Sequence, residues 1–65
     1  MKTAAQFLDD ITANVDAWYA DRIDYATFGA RQRATWDAIE AADAAIKARV
    51  LEALRDQLPP AERAL

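Results

Sequence analysis

The sequence predicts an all-α fold, a helical hairpin closed by a third helix into a small three-helix bundle. Its helices are expected at about residues 4–20, 25–41 and 44–57, from the spacing of apolar residues and the placement of helix stop signals. Three observations carry that prediction. Alanine is abundant, glycine occurs once, and both prolines stand among the last seven residues, Pro59 and Pro60, so helix-favouring residues run almost unbroken. The apolar residues Ala4, Leu8, Ile11, Val15 and Trp18 fall at heptad spacing. Finally, five of the six aromatic residues, Trp18, Tyr19, Tyr25, Phe28 and Trp36, gather around one short polar turn, Arg22-Ile23-Asp24.

The first helix opens at Thr3, a residue whose hydroxyl can accept a backbone N–H of the first turn. Phe7 and Tyr19 widen its apolar stripe on either side. Asp9, Asp10, Asn14, Asp16 and Asp21 fall away from the stripe and read as a solvated acidic face. Asp24 is the expected N-cap of the second helix. Ile23 before it and Phe28 after it stand in hydrophobic-staple register, which sets the angle of the incoming chain. A turn this short makes the two flanking helices antiparallel neighbours. Gly29 costs about 1 kcal/mol in a helix interior relative to alanine, so either helix 1 approaches it closely or it is an unselected small residue.

From Tyr25 to Leu58 the pattern runs on, with apolar positions at Trp36, Ile39, Ala42, Ile46, Val50, Leu54 and Leu58. A continuous helix here would be about 50 Å long at 1.5 Å per residue, twice the length that helix 1 could cover. Alternatively the chain bends near Ala42, Asp43 caps a third helix, and the Ile46–Val50–Leu54 stripe folds back on the hairpin. Propensity favours continuity; burial within one molecule favours the bend. Pro59-Pro60 ends the last helix. Residues 1–58 then form one domain and 59–65 a frayed tail.

At 65 residues the chain can bury only a marginal core. It contains no cysteine and no histidine, so disulfides, thiolate chemistry and the usual transition-metal ligands are excluded. Adjacent carboxylates such as Asp9 and Asp10 diverge by about 100° on a helix and do not converge on one atom. With no nucleophile–base pair and no glycine-rich phosphate loop, the chain is not expected to be an enzyme or to hold a cofactor or metal. No apolar run approaches the ~20 residues of a membrane span and no signal-peptide core is visible, so a cytoplasmic protein is expected.

The net charge is −3. All of the excess lies in the first 24 residues, where Asp9, Asp10, Asp16, Asp21 and Asp24 face only Lys2 and Arg22. That balance disfavours binding to phosphate backbones and suits a basic protein partner. Arg31 and Arg33 are the main basic concentration. They read either as a solvated face pairing with Asp37 or Glu40 or as the base-reading side of a helix–turn–helix. In that second reading, however, Trp18 and Arg22 occupy positions where the motif expects small residues. The candidate partner-binding residues are therefore Asp9, Asp10 and Asp16 for electrostatic steering, and Tyr19, Tyr25, Ile46, Val50 and Leu54 for apolar contact. Arg31 and Arg33 are added for the nucleic-acid reading. A homo-oligomer using the Ile46–Leu58 stripe as its seam is a third reading.

The segment W-Y-A-D-R-I-D-Y-A-T-F-G-A-R-Q-R, Trp18 to Arg33, resembles the small acidic helical antiactivators of bacterial integrative and conjugative elements, the QseM type. The resemblance spans helix 1, the turn and early helix 2. It implies a protein that binds and silences transcriptional activators, among them a quorum-sensing LuxR-type regulator, and so controls conjugative transfer.

Overall fold

A computed structural model describes residues 2–57 of the chain. Three helices follow one another: α1 (Ala4–Tyr19), α2 (Tyr25–Glu40) and α3 (Ala44–Asp56). The expected three-helix bundle is thus the fold, and the continuous second helix is not. Leu58 and the predicted tail lie outside the described residues.

Each boundary has a local cause. Thr3 is the N-cap of α1. Its Oγ1 accepts the Gln6 backbone N–H at 3.2 Å, and Gln6 Oε1 accepts the Thr3 N–H at 2.9 Å. This reciprocal capping box satisfies two donors that would otherwise lack helical partners. The C-terminus of α1 closes in a Schellman motif: Arg22 N donates to Ala17 O at 2.9 Å and Asp21 N to Trp18 O at 3.1 Å. That geometry puts Asp21 in the left-handed region, φ 57°, where glycine is the commonest choice and aspartate one of the few tolerated side chains. Asp24 caps α2 as expected, its Oδ1 accepting Thr27 N–H at 2.8 Å.

Asp43 holds the N-cap position of α3, but its carboxylate bonds no backbone N–H of that helix. Asp43, Ala44 and Ala45 are all exposed, so solvent is available to the donors of the first turn. The bend is therefore held by burial rather than by a side-chain cap. It lets Ala42, Ile46 and Leu54 pack against a core of Phe7, Ile11, Ile39 and Val50. Ile39 and Val50 retain no accessible surface. At roughly 25 cal/mol per Å² of apolar surface removed from water, two such side chains contribute several kcal/mol between them. A continuous helix would have left Val50 in water.

The buried line of α1 differs from the expected seam. Phe7, Ile11, Asn14 and Ala17 are buried, while Ala4, Leu8, Val15 and Trp18 are half-buried. Both α2 and α3 pack on α1, so its covered arc is wider than a two-helix seam and centred on Phe7–Ile11–Asn14. This moves Asn14 from the solvated face, where its polarity alone would place it, to the α1–α2 contact. Its Nδ2 donates to Phe28 O at 3.1 Å and to Gln32 Oε1 at 3.0 Å. The close-approach reading of Gly29 is also corrected. Gly29 is exposed, and a Cβ added there meets nothing within 4 Å. Gly29→Ala is accordingly expected to stabilise the fold by about 1 kcal/mol, raising Tm by roughly 4–8 °C in a domain this small. A thermal melt with unchanged or lowered Tm would contradict it.

Candidate functional site

The aromatic residues divide into two groups. Trp36 packs against the main core. The other four at the turn form a stack at the α1–α2 end of the bundle. The half-buried Trp18 indole lies between Phe28, at 4.5 Å with planes 20° apart, and Tyr19, at 5.3 Å and 28°. Tyr25 lies beside it at 5.4 Å, tilted by 49°, and 6.1 Å from Phe28. Offset stacks of this kind add about 0.5–1.5 kcal/mol per pair beyond area burial. The outer members of the stack are open to solvent: Tyr19 is 78% and Tyr25 70% exposed. The sequence sets these two tyrosines beside the turn as candidate apolar contacts, and both remain open to solvent. The adjoining α2 surface is a shallow depression lined by Tyr25, Ala26, Gly29, Ala30 and Arg33.

The charges around this end are mostly carboxylates. Asp16 lies one turn before Tyr19 on α1, Asp21 and Asp24 lie in the turn with Arg22, and Arg33 lines the depression beside Tyr25; all five are exposed. Hydrogen bonding from the Thr27 side chain, and then from its backbone N–H, holds the Asp24 carboxyl below its ordinary pKa, because a donor favours the charged acceptor. A depressed folded-state pKa means that the carboxylate stabilises the fold at all pH values above the ordinary carboxylate pKa. That contribution fades as pH falls through the lowered value, so the window lies below about pH 4. An Asp24→Ala variant should melt several degrees lower at neutral pH and lose less stability than the wild type on acidification to pH 3. Parallel acid titrations followed by circular dichroism check this; identical slopes would refute it.

The other candidate residues are dispersed. Asp9 and Asp16 are exposed on α1. Asp10 is half-covered, its Oδ2 accepting Lys2 Nζ at 2.5 Å, and the same ammonium sits 5.8 Å from the centre of the Phe7 ring. Asp10 is thus partly neutralised, and the free acidic face is narrower than the sequence suggests. Arg31 and Arg33 are exposed on different sides of α2, two residues or about 200° apart. Arg31 lines the α1–α2 groove with Asp10, Asn14 and Thr35, whereas Arg33 lines the depression beside Tyr25. Neither pairs with Asp37 or Glu40, and Glu40 Oε2 instead accepts Lys47 Nζ at 2.6 Å.

On α3, Val50 is fully buried and Ile46 and Leu54 are half-buried against the core. Val50 is therefore corrected from contact residue to core residue, since closure of the third helix consumes the stripe that would otherwise need an outside partner. Leu51, 46% exposed, is the large apolar side chain that α3 leaves open among the described residues.

Among the described residues no group of carboxylates could hold a metal ion, and no helix is long and apolar enough to cross a membrane. Fold and surface together define a class: a small all-α three-helix bundle with an exposed aromatic end. Comparison with protein-family models, curated proteins and solved structures finds no match to this chain.

Proposed function

We propose that this chain is a small non-catalytic regulator that works by binding another protein in the cytoplasm, and that the partner is a basic, DNA-binding transcriptional activator which it silences. The observation that carries the reading is the pair Tyr19 and Tyr25, whose rings lie against Trp18 yet are 78% and 70% exposed. Tyrosines are among the side chains most enriched at protein interfaces, because they bring a large apolar area and a polar tip at low entropic cost. The surplus of carboxylates at Asp9, Asp16, Asp21 and Asp24 supports a basic partner by steering its approach. The antiactivator role, and with it control of quorum sensing and conjugative transfer, rests on the resemblance of Trp18–Arg33 to that family.

Direct DNA binding is the second reading. The divergence of Arg31 and Arg33 counts against it, since two cations on different sides of one helix cannot both enter a single groove. A self-association seam on α3 is weakened because Ile46, Val50 and Leu54 are engaged within the molecule.

A gel shift separates the readings. A LuxR-type activator bound to its operator should be released as this protein is titrated in, while the protein alone should not retard DNA or bind heparin at low salt. Retardation of DNA by the protein itself would overturn the proposal in favour of the nucleic-acid reading.

A further inference from the structure

We propose that Asn14 is a positioning residue of the hairpin: with Gln32 it forms a polar layer that sets which face of α2 meets α1, at a cost in stability, and so fixes how the aromatic end is arranged. An inversion in the middle of α2 points to this. Between Phe28 and Trp36 the half-buried residues are polar, Gln32 and Thr35, while Ala30 and Ala34 are exposed. Burial of apolar surface alone would turn this span the other way, alanines inward and amide outward. Opposite it, α1 contributes Asn14, which is 5% exposed. The Asn14 Nδ2 donates to Phe28 O and to Gln32 Oε1, so the inverted span is met by a polar side chain and not by an apolar one.

The layer is not fully bonded. Among the described residues no donor reaches the buried Asn14 Oδ1, and an orphaned buried acceptor lowers stability. The worth of a carboxamide at such a place lies in the pairing it dictates. A rotated or shifted α2 would take both acceptors away from Nδ2 and leave that group unpaired as well. The pairing has a consequence for the surface. Along both helices the layer falls between the Phe7, Ile11 and Ile39 core and the Trp18–Phe28 stack. Asn14 is one turn before Trp18, and Tyr25 is three residues before Phe28, whose carbonyl Asn14 holds. One residue of helix is about 100° of rotation, so a slip in this layer would carry Tyr25 away from Trp18.

This role belongs to the free protein and does not depend on any partner. The test uses the full chain with Asn14→Leu and Gln32→Leu together, which replaces the layer by apolar side chains. The groove lined by Asp10, Ala13, Asn14, Arg31 and Thr35 leaves room for the larger side chain on α1. The melting temperature by circular dichroism should equal or exceed that of the wild type, because exchanging both buried polar partners for apolar groups of similar shape is neutral or stabilising. Pairing should suffer instead. In amide correlation NMR the wild type should give a single set of sharp peaks, and the variant doubled or broadened peaks along α2, with loss of the native ring contacts between Trp18 and Phe28. Asn14→Val with Gln32→Leu, a smaller replacement, is the deciding variant if the first crowds the seam and lowers Tm.

An amide pair that merely held the helices together would behave in the opposite sense: its removal would lower Tm and leave a single set of peaks. A lowered Tm in the deciding variant, or one sharp set of peaks with native Trp18–Phe28 contacts, overturns the positioning role. The protein-binding reading is decided separately by the activator gel shift.

Discussion

Ile39→Ala should leave the protein largely unfolded at 37 °C. Ile39 has no accessible surface and sits where α2 meets the Phe7, Ile11 and Val50 side chains of the other two helices. Truncation of a buried isoleucine to alanine costs about 2–5 kcal/mol, transfer and cavity terms together. A single core in a chain this size rarely supplies more than about 3–5 kcal/mol of net stability, so one substitution can consume all of it. Ile39→Val, losing one methylene, should cost only about 0.5–1.5 kcal/mol and remain folded. Leu51→Ala, on the open face of α3, should fall within about 0.5 kcal/mol of the wild type. Urea denaturation followed by far-UV circular dichroism ranks the three. If Ile39→Ala and Leu51→Ala proved equally stable, the core assigned here would be wrong.

Replacement of both Tyr19 and Tyr25 by alanine should abolish the proposed activator binding while preserving the bundle. Each ring contributes part of a stack with Trp18 worth about 0.5–1.5 kcal/mol, so a modest fall in Tm is expected, and helix content should be retained. Interface anchors cost about 2 kcal/mol or more on truncation. That is roughly 30-fold in affinity for each tyrosine, and close to a thousandfold for the pair if they act independently. Tyr19→Phe with Tyr25→Phe keeps the rings, and should keep most of the affinity. Charge reversal at Asp9 and Asp16 should behave differently, slowing association at low salt with little change in dissociation, because steering acts on encounter rather than on the docked contact. Isothermal titration and stopped-flow binding to the activator distinguish these patterns. A double-alanine protein that is folded and binds at wild-type strength would remove the aromatic end from consideration.

Where local chemistry sets an outcome, it was visible in the residues. Thr3 and Asp24 cap their helices because a short oxygen-bearing side chain next to the first turn satisfies a donor whatever the rest of the chain does. The turn after Tyr19 and the antiparallel hairpin follow from the same signals. The position of Tyr19 and Tyr25 on either side of the turn was legible too, from their places in the chain. The candidate site at that end was therefore readable in outline, but not the stacking order around Trp18 or the left-handed Asp21.

Other features depend on distances between helices, and no single segment encodes them. The bend at Ala41–Asp43 is one. Propensity there favours a continuous helix, and the turn exists only because folding back buries Ile46, Val50 and Leu54 against Phe7, Ile11 and Ile39. The same closure removed Val50 from the surface, while the packing of α1 on α2 drew Asn14 into their contact. The sequence by itself determined the first hairpin, its caps Thr3 and Asp24 and the aromatic turn, because those are decided within a few residues. Only the tertiary structure decided which faces remain outside, because burial is a property of the packed bundle. What it leaves most open to a partner is the tyrosine-flanked turn.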